Sequence, residues 1–235
     1  MLVALGHYPR RPSAPYGSLA FFRMDGSLER HLDVEPLPLE VAVTRAGEVL
    51  VAGATWIEER RDSVYNLRWL DEDGKVLRVR ALTGWPVALA ESDEGDVLVV
   101  IENKTAEDET ISTMVAFSQE GNSLGQVLLG RRILDMVVSS SGELWMSSTG
   151  LIGEYGRDGK PIREWAVSGE PSSIAFADDN SLVTLIRRWE PCPWQAAIER
   201  FDLSGELQAR QWLFGRPTSV FLPSLSCAAV RASRS

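Results

Sequence analysis

Leu67-Arg68-Trp69-Leu70-Asp71-Glu72-Asp73-Gly74-Lys75-Val76-Leu77-Arg78-Val79 decides the fold. Two apolar-rich runs flank an acidic-Gly turn, and Pro86-Val87-Ala88-Leu89-Ala90 and Gly95-Asp96-Val97-Leu98-Val99-Val100 follow. The stretch reads as strand, tight turn, strand, short loop, strand, tight turn, strand. An acidic-Gly pair between two such runs is a strong hairpin signal, because Gly supplies the positive φ that the turn requires.

The phrase recurs about five times. Gly26, Gly74, Gly121, Gly159 and Gly205 mark the first turn, and Gly47, Gly95, Gly142, Asn180 and Ser226 mark the second. Each first turn lies 21 residues before its second turn, although successive repeats measure 48, 47, 38 and 46 residues. All length variation therefore falls between a second turn and the next first turn. A constant core with one variable loop per unit is the signature of stacked or radial repeats. Four short strands per unit, with no helical periodicity, predict a β-propeller of four-stranded antiparallel blades. We label the strands a to d from the centre outward. Strand a is expected at 39–43, 87–91, 134–139, 172–176 and 218–222, and all but the third are preceded by Pro. The chain starts in a strand b and ends just after one. Residues 1–235 thus form a single all-β domain with five visible repeats. The ring is either five-bladed, closed by the C-terminal strand a, or six-bladed and trimmed at both ends.

The pattern of acidic-Gly turn, strand, Pro, apolar strand, acidic-Gly turn, apolar strand, as in Asp73-Gly74, Pro86-Val87-Ala88-Leu89 and Glu94-Gly95, resembles the blades of NHL and gluconolactonase/regucalcin propellers, the six-bladed TolB-like group. The resemblance covers nearly the whole chain. It implies architecture rather than activity, because unrelated activities share such folds.

Composition narrows the function classes. The net charge of −9 argues against nucleic-acid and anionic-membrane partners. No apolar run reaches the roughly 18 residues that a membrane helix requires. The start is apolar but too short for a signal peptide, so the expected location is cytoplasmic unless a leader lies outside this sequence. Cys192 and Cys227 fall at opposite ends of the expected blades, too far apart to bridge. The chain contains no G-x-S-x-G, P-loop, G-x-G-x-x-G, H-E-x-x-H or C-x-x-C motif. Of its two histidines, His31 reads as an outer-strand surface residue, and His7 sits at a loop end.

The two ends of the blades differ. The a–b and c–d turns form an acidic end, rich in Asp and Glu as solvated turns usually are. The opposite end holds the b–c loops (7–17, 55–64, 102–111, 147–150, 187–195) and the d–a connections. Every adjacent Arg pair maps there: Arg10-Arg11, Arg60-Arg61, Arg131-Arg132 and Arg187-Arg188. So do Trp56, Trp85, Trp189 and Trp194. Loops on a rigid scaffold commonly carry function, and Trp and Arg are typical anchors. The expected function is therefore a binding or interaction module whose loop face takes a protein or a small anionic ligand. The competing expectation is that these arginines pair with local acids.

The resemblance to gluconolactonases implies an alternative, a metal-dependent hydrolase acting at the tunnel mouth. A divalent cation such as Ca²⁺ would be its cofactor, held by hard oxygen ligands. Candidates by position are Glu40 and Asp135, at equivalent places in strand a, with Glu102 and Asn103 just after strand b. The other equivalent places hold Ala88, Ser173 and Ser219, so no family ligand set carries over.

Overall fold

The structure, a computed structural model, describes residues 2–7, 16–23, 25–35, 37–57, 59, 62–105, 107–188 and 195–213. These form antiparallel sheets with no helix. Blade 1 contains β1 (Leu2–His7), β2 (Tyr16–Phe22) and β3 (Leu28–Val34). Blade 2 contains β4 (Leu37–Val43), β5 (Val49–Ile57), β6 (Asp62–Leu70) and β7 (Val76–Leu82). Blade 3 contains β8 (Trp85–Glu91), β9 (Val97–Lys104), β10 (Thr110–Phe117) and β11 (Ser123–Leu128). Blade 4 contains β12 (Ile133–Val138), β13 (Leu144–Ser148), β14 (Leu151–Tyr155) and β15 (Pro161–Ala166). Blade 5 contains β16 (Glu170–Phe176), β17 (Leu182–Arg188), β18 (Gln195–Phe201) and β19 (Leu207–Leu213). Consecutive strands pair in chain order, and the chain is a β-propeller.

The expected strand order holds throughout the described residues. β1 is a strand b: its pair Val3↔Ala20 becomes Val51↔Arg68, a pair of β5 and β6, when shifted by one 48-residue repeat. The inner strands pack in succession, β1 on β4, β4 on β8, β8 on β12 and β12 on β16. The expected strands at 218–222 and 228–230, both cysteines and the question of ring closure lie outside the described residues.

One turn is used nine times at the a–b and c–d end. In residues 44–48, Thr44 N–H donates to Glu48 C=O at 2.8 Å and Gly47 N–H donates to Thr44 C=O at 2.9 Å. The same two bonds close every a–b and c–d turn among the described residues. This is a type I turn followed by one left-handed residue, a hairpin connection that matches strand twist. Gly occupies the left-handed position eight times, and Asn180 takes it once with φ 61°. Each c–d turn continues into a register shift that leaves one extra residue on strand d. Leu77, Leu124 and Ile162 are such residues, which accounts for three exposed apolar side chains on outer strands. A bulge there also discourages edge-to-edge pairing.

Strand a carries a second recurrent bulge. The register shifts between Pro38 and Glu40, Pro86 and Ala88, Ile133 and Asp135, and Pro171 and Ser173. Pro has no N–H to satisfy, so it fits the first bulged step. Blade 4 has Ile133 instead, and its N–H donates to Ser112 Oγ of blade 3 at 2.8 Å. Ser112 is fully buried, and its own carbonyl accepts Leu129 N–H at 2.9 Å. A side chain from the preceding blade thus satisfies the donor that Pro removes elsewhere.

The core lies in the seams between blades. Trp69 of blade 2 packs with Val97, Val99 and Phe117 of blade 3, and Trp145 of blade 4 packs with Ile174, Leu182 and Phe201 of blade 5. Both indoles are fully buried, and each has an outer-strand guanidinium over its ring, Arg78 at 5.5 Å and Arg163 at 4.9 Å. Each of these arginines is also ion-paired, to Glu48 and Glu154 respectively. Burying a large aromatic ring under a paired Arg stem removes apolar area from water without leaving a bare charge.

Candidate functional site

The loop end is uneven. In blade 2 the last a–b pair is Leu37↔Ala54, yet β5 and β6 continue pairing to Ile57↔Asp62. Blade 3 continues past Trp85↔Glu102 to Lys104↔Thr110. Blade 5 goes one pair past Glu170↔Arg187, to Arg188↔Gln195. Blade 4 stops at Ser148↔Leu151 with a two-residue turn. The expected loops 55–64, 102–111 and 187–195 are therefore shorter than their boundaries, because paired strand runs into them from both sides. In blade 3 the hairpin closes with the same two-bond turn used at the other end, and Asp108 takes the left-handed position with φ 63°. That turn was hidden in the sequence because the position holds Asp rather than Gly.

The predicted arginines separate into two groups. Arg131 donates to Glu164 Oε1 at 2.5 Å, and Tyr155 OH donates to the same oxygen at 2.6 Å. Burial, and then the hydrogen bond to the Glu164 carboxylate, push the Tyr155 phenol well above its usual range. Arg131 thus crosses from the d–a connection of blade 3 to the outer strand of blade 4. Arg132 instead donates to Glu102 Oε1 at 2.8 Å, at the loop end itself. Both described arginines of this pair therefore meet acids, Glu164 33 residues and Glu102 30 residues away along the chain. Arg187 is half-buried on β17, in register with Glu170, and Arg188 ends that strand. Arg10, Arg11, Arg60, Arg61, Trp189 and Trp194 lie outside the described residues.

Two predicted residues of different kinds converge. Trp85 begins β8 and is half-buried, with its ring 5.6 Å from that of Tyr65 at an interplanar angle of 65°. Across β8–β9 it is paired with Glu102, the residue that Arg132 grips. Tyr65, Trp85, Glu102 and Arg132 therefore form one chain of contacts and register pairs across blades 2 and 3 and the connection into blade 4. Glu102 was expected as a metal ligand and Arg132 as an anion anchor, but here they partner each other. Gly84 fixes the approach: a Cβ there would lie 2.6 Å from the Glu102 carbonyl and 2.5 Å from Asn103 Oδ1. Tyr65 was not foreseen, since a strand residue next to Asn66-Leu67 gives no local sign of lying across from Trp85. Trp56 lies on β5 on the same side as Tyr65, because Trp56↔Ser63 and Ala54↔Tyr65 are cross-strand pairs two steps apart.

Of the remaining candidates, Asp135 serves the frame. Asp135 accepts Met136 N–H at 2.8 Å on one oxygen and Ile174 N–H of the next inner strand at 2.9 Å on the other. It stitches blade 4 to blade 5. Glu40 is buried at the equivalent place on β4, and Asn103 lies on β9. Among the described residues, no group of three or more His, Cys, Asp or Glu is gathered as a metal would require. His31 is exposed on β3, as expected. At the opposite end, the acids cap their own turns. Asp202 accepts the Ser204 hydroxyl at 2.6 Å and the N–H groups of Glu206 and Ser204, and these bonds, the hydroxyl's first, hold its carboxyl below the usual range. Arg157 bridges Asp93 and Glu94 of the neighbouring blade. A surface groove at the turn end of blade 5 is lined by Asp179, Ser181, Arg200 and Asp202, and Arg200 is tied to both Asp179 and Ser181.

No helix among the described residues is long and apolar enough to cross a membrane. No protein-family model matches the chain, and no curated protein matches it. Solved structures do. A protein of unknown function from Bacteroides caccae is 18% identical with a TM-score of 0.58, over 83% of this chain and 68% of that one. The Pan2 WD40 domain of Neurospora crassa is 9% identical with a TM-score of 0.60, over 88% of this chain and 64% of that one. A gluconolactonase from Xanthomonas campestris is 18% identical with a TM-score of 0.54, over 73% of this chain and 65% of that one. The chain thus spans about two thirds of the length of each structure, slightly less for the last two. At these identities the likeness is one of fold, and the chain is a propeller resembling the gluconolactonase group.

Proposed function

We propose that this propeller is a binding module and that its loop end is the working face. The observation that carries this reading is the Tyr65–Trp85–Glu102–Arg132 chain, which joins blades 2 and 3 to the connection into blade 4 at that end. Half-buried aromatic rings beside a charged pair are the residue types that anchor interfaces. The hairpins of blades 2 and 3 run three and two pairs past the sheet, whereas that of blade 4 stops with it. The Pan2 domain and the other propellers add the shared fold and nothing about a partner.

The test is capture of partners by the full chain, read against variants of both ends. Trp85→Leu and Arg132→Ala should lose a captured species that Asp25→Asn, at the turn end, retains. Loss with the turn-end variant, or retention with both loop-end variants, would place the working surface elsewhere.

The alternative reading, a lactonase-type hydrolase with a divalent cation at the tunnel mouth, draws on the fold shared with the Xanthomonas enzyme. Asp135 engages both oxygens with backbone N–H groups and Glu102 engages Arg132, which favours the binding reading. Calorimetric titration with Ca²⁺, Mn²⁺ and Zn²⁺, together with a lactone-hydrolysis assay, separates the two. Saturable cation binding with turnover would establish the hydrolase.

A further inference from the structure

We draw no further inference here: the strongest candidate, the uncharged outer edge of blade 3 at β11 with its exposed Leu124 and Leu128, carries nothing, because nothing in the structure shows what covers it.

Discussion

The two ends of this propeller are built on opposite rules. At the turn end, one five-residue hairpin turn with the same pair of backbone hydrogen bonds is repeated nine times. Its charged residues cap their own turns or bridge to the next blade, as Asp202 and Arg157 do. At the loop end no two of the hairpins of blades 2 to 5 match. The strands overrun the sheet by three, two, zero and one pairs in blades 2 to 5. The side chains there reach across seams, as Arg131, Arg132 and Tyr65 do. Uniformity at one end and variety at the other fit the proposal that the turn end answers to folding and the loop end to recognition. Changes at the turn end should therefore cost stability, and changes at the recognition seam should cost binding.

The largest effect is expected at the turn end. Gly205 has φ 89°, and a Cβ there would lie 2.6 Å from the Trp165 ring, which is itself wedged between Trp145 and Phe201. Gly205→Ala should cost about 2–5 kcal/mol in denaturant unfolding, combining left-handed strain with overpacking. Gly26→Ala has a similar φ of 83° but nothing within 4 Å of the added carbon, so it should cost only about 1–2 kcal/mol. Equal losses at the two sites would show that the turns are not individually packed.

Ser112→Ala sharpens the comparison from the other side, since it lies toward the loop end yet serves the frame. Removing the hydroxyl orphans Ile133 N–H, for an expected loss of about 1–3 kcal/mol. In an Ile133→Pro background that donor no longer exists, and the same substitution should cost less than about 1 kcal/mol. A double-mutant cycle by chemical denaturation measures the difference, and absence of coupling would remove the proposed reason for Pro in the other blades.

Tyr155 gives a pH signature. Its folded phenol is raised above the ordinary value of 10, so the folded state holds the proton more tightly than the unfolded chain does. The stability this contributes is fully present below pH 10 and is lost as pH rises above it. Thermal midpoints between pH 8 and pH 11 should therefore fall less steeply in Tyr155→Phe than in the parent, at about 1 kcal/mol lower stability near neutral pH. Parallel alkaline slopes would contradict the assignment.

The smallest stability change is expected where binding is expected to change most. The Arg132–Glu102 pair is partly exposed, with 47% of the Arg side chain accessible. Arg132→Ala should lower stability by less than about 1 kcal/mol in urea unfolding. A larger loss would place this pair with the frame and erase the contrast between the two ends.

Much of the frame was legible because its chemistry is local. An acidic-Gly pair reports its own turn, and the constant 21-residue step from first turn to second located the starts of strands a and b in blades 2 to 5 to within about two residues. The hairpin at residues 105–109 escaped because Asp108 stands where the pattern led one to look for Gly. The proposed recognition seam was legible only in pieces. Trp85 and Arg132 were marked as loop-end residues, yet Glu102 was marked for a metal, and Tyr65 carried no mark at all. Asp135 and Glu40 looked equivalent by position. What Asp135 does depends on Ile174, 39 residues later and one blade away.

By itself, the sequence determined the repeat, the turns, the strand order and the end at which variety accumulates, because each of these follows from contacts within one hairpin or from spacing along the chain. Only the tertiary structure decided that Arg132 belongs to Glu102, that Arg131 belongs to Glu164 and Tyr155, and that Tyr65 meets Trp85. Those pairings join different blades, and the distance between two blades is set by how their faces pack, not by any spacing along the chain.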